Sequence, residues 1–111
     1  MPLKLADATR SLSEMDLTTP IGFACYNDDV AMAVLAAART LGLDTPHQVS
    51  AVGVDNSSAG QLWSPRLTSI EVDIRAIMDA TVMQLRDLLG LREAGAATSG
   101  PLVSLILGES S

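Results

Sequence analysis

Aromatic side chains are nearly missing from this 111-residue chain: Phe23, Tyr26 and Trp63 are its full complement. A core must therefore be assembled from Leu, Val, Ile, Ala and Met. Cys25 is the single cysteine, so no disulfide can form within the chain, which suits a reducing cytoplasm. His47 is the single histidine, and no zinc site of His and Cys ligands can be built from one of each. Basic charge is scarce too: seven Lys and Arg against thirteen Asp and Glu give a net charge of −6. Such a surface repels a phosphate backbone, so this segment by itself is a poor nucleic-acid binder. No apolar run is long enough to cross a membrane, and the start, Met1–Asp7, lacks the continuous apolar core of a signal peptide. Gly53-Val54-Asp55 has neither the second glycine nor the spacing of a dinucleotide fingerprint. No serine stands in a nucleophile-elbow pattern. These absences point to a cytoplasmic non-enzyme that uses no cofactor or metal and stays off the membrane.

What is present is a repeated plan. Gly22–Asp29 and Val49–Asn56 are each a short apolar run that stops at paired Asn and Asp residues. A run of that length bounded by turn residues reads as a strand buried on both faces of a parallel sheet. The acid-amide clusters Asn27-Asp28-Asp29 and Asp55-Asn56 then fall at the carboxyl ends of two strands, the edge where open α/β sheets bind small ligands.

The rest of the chain alternates in the same way. Leu5, Ala8, Leu12 and Met15 repeat at helical spacing and predict a helix over residues 3–14. Residues 21–26 form the first expected strand, and residues 28–41 the strongest expected helix, with Val30, Ala31, Val34, Leu35, Ala38 and Leu41 on one broad face. Asn27 can cap that helix, Asp28 and Asp29 suit its positive end, and Gly42 can close it. A second strand is expected over residues 49–54, an irregular stretch over 56–65, a third strand near 67–72 and a further helix over 74–89. Residues 90–100 are rich in small side chains and read as a flexible connector, and residues 102–107 can form a last strand. The pattern predicts an α/β fold whose mostly parallel sheet is flanked by helices in three layers.

Four segments then carry a resemblance: Ala24–Met32, Leu41–Ser50, Val52–Asn56 and Ser64–Ile70, in that order and at matching spacing. Together they resemble the C-terminal part of the lactose-repressor (LacI/GalR) family, from about Leu17 to Leu89 and more loosely to the end. The resemblance implies a lobe like that of periplasmic sugar-binding proteins. Residues 1–72 are then the C-terminal lobe of an effector-binding core. Residues 73–101 are a crossover helix and connector of the other lobe, and 102–111 a terminal strand and tail. It implies a sugar-like or nucleoside-like effector held between two lobes, a homodimer, and DNA contact only through a headpiece not contained in this chain.

Carried over residue by residue, the resemblance puts Asn27 and Asp55 on the effector. A carboxylate accepts two hydrogen bonds from neighbouring sugar hydroxyls, and an amide both donates and accepts. Plainer roles stand beside these: a helix cap for Asn27 and an Asx turn for Asp55. Asp28 and Asp29 read as first-turn helix acids, His47 as a solvated loop residue, and Cys25 as a small buried hydrophobe. The resemblance also puts Met32, Leu35 and Trp63 at a subunit interface, where a core role competes. Val54 stands where the family usually has Phe or Tyr, Val72 where a polar residue is common, and Gly108 where Arg is frequent. A lobe of a sugar-binding transport protein is the alternative of the same architecture; an enzyme of flavodoxin-like fold is a third, disfavoured by the missing motifs.

Overall fold

The computed structural model describes residues 4–91 and 102–111. In chain order it contains α1 (Leu5–Ser13), β1 (Ile21–Ala24), α2 (Asp28–Thr40), β2 (Val49–Val54), α3 (Ser58–Leu62), β3 (Thr68–Val72), α4 (Ile74–Leu88) and β4 (Val103–Ile106). The strands form one sheet in the order β1-β2-β3-β4. β1 and β2 are parallel, pairing Ile21 with Val49 and Ala24 with Val52. β2 and β3 are parallel too, pairing Val52 with Thr68 and Val54 with Ile70. β4 returns against β3: the Asp73 amide donates to the Leu102 carbonyl, and the Gly108 amide to Thr68 Oγ1. The sheet is therefore mixed, with helices flanking it, as the α/β alternation predicts.

By its internal contacts the chain divides into two compact units, Met1–Glu71 with Leu105–Ser111, and Val72–Ser104. In the first, α2 supplies the organising surface. Ala31, Leu35 and Ala38 recur at helical spacing and are all buried. Ala31 and Leu35 pack with Ala51 of β2 and with Leu67. Ala37 and Ala38 pack with Val49 and with Ala8 and Leu12 of α1, which stand one helical turn apart. Alanines at these contacts let the helices and the sheet approach closely, which compensates for the missing aromatic bulk.

Three expectations need correction. β1 is not buried on both faces. It is the end strand of the sheet, and it alternates, with Ile21 and Phe23 half-buried but Gly22 and Ala24 exposed. The stretch 56–65 is not wholly irregular: α3 forms there because Ser57 Oγ accepts from the Gly60 amide at 3.1 Å, an N-cap. The first strand also ends two residues early, at Ala24, because the backbone is already turning into the cap of α2. The connector expected over residues 90–100 lies, apart from Gly90 and Leu91, outside the described residues.

In the second unit, Asp73 Oδ1 caps α4 by accepting from the Ala76 amide at 2.9 Å. None of the α4 residues is buried. Its apolar stripe, including Ile74, Met78, Val82, Leu85 and Leu88, is exposed.

The tail of the first unit explains Gly108. A Cβ there would lie 2.3 Å from the Arg66 carbonyl oxygen and 2.6 Å from the Leu67 carbonyl carbon. No larger residue, Arg included, fits against that backbone. Ser110 follows, fully buried. Its hydroxyl accepts from the Thr68 amide at 2.8 Å and donates to the Ala51 carbonyl at 2.7 Å. Its own carbonyl accepts from the Ala51 amide at 2.8 Å. Ser110 thus bridges β2 to β3 just before their direct pairing begins at Val52 and Thr68. Ser110→Ala orphans a buried donor and a buried acceptor, each worth about 1–3 kcal/mol when left unpaired. A loss of roughly 2–4 kcal/mol in urea denaturation is expected; an unchanged midpoint would show that the bridge contributes nothing.

Candidate functional site

The carboxyl edge of β1 and β2 brings Asn27 and Asp55 into one region. Ala24 and Val52 are paired neighbours, and the Cys25 amide extends the ladder to the Val52 carbonyl at 2.9 Å. Asn27 and Asp55 each follow three positions beyond that pair. Asn27 Oδ1 accepts from the Val30 amide at 2.9 Å, so the capping role is real. Its NH2 group has no partner among the described residues and stays free to donate. Asp55 is exposed, and its amide donates to the Ile70 carbonyl at 2.8 Å. Its carboxylate takes no hydrogen bond among the described residues, so an Asx turn does not shape this loop.

Tyr26 was not singled out for the site by the sequence, yet it stands 88% exposed beside Asn27. An exposed aromatic at a polar rim offers an apolar face to a sugar ring. The burial of Asp28 was not foreseen. It occupies the first turn of α2 as expected, but it is only 2% exposed. Oδ1 accepts from Ser69 Oγ and Oδ2 from the Ser57 amide, both at 2.6 Å. Asp29 beside it is exposed and is the plain helix acid. Small residues make room for the buried carboxylate: a Cβ on Gly53 would sit 2.2 Å from Asp28 Oδ1 and 2.9 Å from its Cα.

The remaining candidates resolve by their surroundings. Cys25 is half-buried, and burial pushes its thiol above the ordinary range, so it stays protonated and inert. His47 Nδ1 lies 2.9 Å from Asp44 Oδ2 in an exposed pair. Among the described residues no group of three or more His, Cys, Asp and Glu can hold a metal ion. No helix among them is long and apolar enough to cross a membrane.

The residues singled out for a subunit interface lie together on another part of this unit. Leu35 is 3% exposed and belongs to the core, with Met32 and Trp63 half-buried against the same cluster. The Arg39 guanidinium carbon lies 5.5 Å from the centroid of the Trp63 ring, a cation–π contact, and Arg39 also donates to the Ser64 carbonyl. The Trp63 indole nitrogen is buried without a hydrogen-bond partner. An open groove of about 550 Å³ runs alongside, lined by Leu35, Arg39, Asp44, Ser64 and Pro65 among others.

A mixed sheet whose first three strands run parallel, flanked by helices, fits a periplasmic-binding-protein type of lobe, and comparison with known proteins agrees. The family model described as periplasmic binding protein-like domain matches residues 3–111. The HTH-type transcriptional regulator MalR of Streptomyces coelicolor is 38% identical over 66 residues, 60% of this chain and 19% of that protein. The HTH-type transcriptional regulator YvdE of Bacillus subtilis is 32% identical over 90 residues, 81% of this chain and 27% of that protein. A LacI-family transcriptional regulator of Arthrobacter sp. FB24 superposes with a TM-score of 0.71 at 28% identity, covering 96% of this chain and 40% of that one. The same protein has been crystallised in complex with lactose. The chain belongs to the periplasmic binding protein-like domain family, in the form found in LacI-family regulators. It spans well under half the length of these relatives.

Proposed function

We propose that the chain is the effector-sensing and dimerising part of a cytoplasmic LacI-type transcriptional regulator. It supplies one lobe of a cleft for a sugar-like or nucleoside-like molecule, and it is not an enzyme. Residues 1–72 with the tail form that lobe, residues 73–101 lead into the second, and DNA is reached through a headpiece outside these residues. The observation that carries this reading is the Asp55 carboxylate and the Asn27 NH2 group, both without a partner among the described residues, at equal offsets beyond paired strands. The 28%-identical relative that binds lactose supports the sugar class.

In the full-length protein, calorimetry with lactose, maltose, sucrose and nucleosides should find a saturable ligand. Asp55→Ala should weaken it roughly 10–150-fold, the worth of about 1.5–3 kcal/mol for hydrogen bonds to a charged group. The 111-residue chain alone should bind the same ligand far more weakly, since half a cleft loses contacts and burial. A ligand bound equally well by Asp55→Ala overturns the assignment. Sugar-dependent release of the protein from its operator separates a regulator from a transport protein, which would bind sugar and no DNA.

For the dimer, Met32 and Trp63 are the contacts and Leu35 backs them from the core. Trp63→Ala should shift the protein towards monomer in light scattering by at least tenfold in dissociation constant. Leu35→Asp buries a charge in the core and unfolds the lobe instead. An unchanged dimer in Trp63→Ala sinks this interface.

A further inference from the structure

The Asp28 carboxylate reaches neither the open edge nor solvent, yet its hydrogen bonds converge on the loop that presents Asp55. One oxygen takes the Ser57 amide and the other the Ser69 hydroxyl. Ser69 is fully buried, and its Oγ accepts in turn from the Asn56 amide at 2.9 Å. Asn56 Oδ1 then accepts a hydrogen bond from Gln61 Nε2 at 2.7 Å. Both backbone donors that follow Asp55 are therefore fixed by one buried pair, contributed by α2 and β3. The loop they hold is strained. Asp55 has φ of 107° and Asn56 of 52°. Asn tolerates the left-handed region, but a φ of 107° is unfavourable for Asp and persists only when its surroundings impose it.

We infer that Asp28 and Ser69 are positioning residues: together they hold Asp55 in its positive-φ conformation and so aim its carboxylate at the ligand. Asp28 also starts the helix that Asn27 caps, so a single carboxylate couples the two sides of the site. The inference rests on the effector reading for its ligand but not for its geometry.

The test uses the full-length protein with lactose, maltose, sucrose and nucleosides as probes, beside amide exchange at Asn56 and Ser57 and the chemical shifts of Asp55. Ser69→Ala should speed exchange at Asn56 at least tenfold, move Asp55 out of positive φ, and weaken binding of whichever probe the parent protein takes at least tenfold. Ser69→Thr, which keeps the hydroxyl, should restore most of all three. Val49→Ala, a buried substitution far from the loop, should lower stability and leave affinity and Asn56 exchange unchanged. The inference falls if Ser69→Ala leaves exchange and the Asp55 shifts unaltered, or if Val49→Ala weakens binding as much. If the parent protein binds none of the probes while Ser69→Ala still releases Asp55, the effector reading fails and the clamp stands.

Discussion

Asp28→Ala should cost this protein more stability than any other single truncation at the site, about 3–5 kcal/mol. The substitution leaves the Ser57 amide and the Ser69 hydroxyl buried without an acceptor. Each orphaned donor is worth about 1–3 kcal/mol, and the emptied volume adds to that. Asp29→Ala is the control: its neighbouring carboxylate is exposed, so only a helix-dipole interaction of about 0.3–1 kcal/mol is lost. Asp28→Asn should fall between them, because its amide oxygen can take the Ser57 amide while its NH2 donates to Ser69 Oγ. Urea titrations of the three variants measure the order directly. Equal losses for Asp28→Ala and Asp29→Ala would mean that the buried network contributes nothing.

The second large effect is expected at Gly53, the residue facing that carboxylate. A Cβ there meets Asp28 Oδ1 at 2.2 Å and Asp28 Cα at 2.9 Å. The side chain can turn aside, but the Cα belongs to the first turn of α2 and can move only with the helix. Gly53→Ala should therefore lose about 3 kcal/mol, at the upper end of what overpacking costs. The two sites touch, so their effects will not add. In the double variant the oxygen that clashes is gone, and the combined loss should fall short of the sum by about 1 kcal/mol or more. Additive losses would show that the glycine answers to the backbone contact alone.

The sequence made the alternation of strands and helices legible because apolar periodicity and cap residues are local signals. Val49–Val54 was read with its observed bounds, and Asn27 was read as a cap, which it is. The short helix α3 was missed, since its five residues, Ser58–Leu62, carry no periodic stripe. The burial of Asp28 was missed for a different reason. Its partners Ser57 and Ser69 lie 29 and 41 positions away, and sequence gives no measure of such meetings. Gly53 was the available trace, since a glycine inside a buried strand signals close approach by another group. Tyr26 passed as part of an apolar run, because periodicity alone does not tell which end of a strand emerges from the sheet.

The bridge made by Ser110 also sets an order of events during synthesis. β1, α2 and β2 span residues 21–54 and can come together early, since their partners are near in sequence. The gap between Ala51 and Thr68 closes only with a serine 59 and 42 positions further along. While that serine is still inside the ribosome, the emerging lobe carries an unsealed seam between two strands, with unpaired backbone groups that can recruit a strand from a neighbouring nascent chain. Slow translation of the segment between Thr68 and Ser110 would lengthen that exposure.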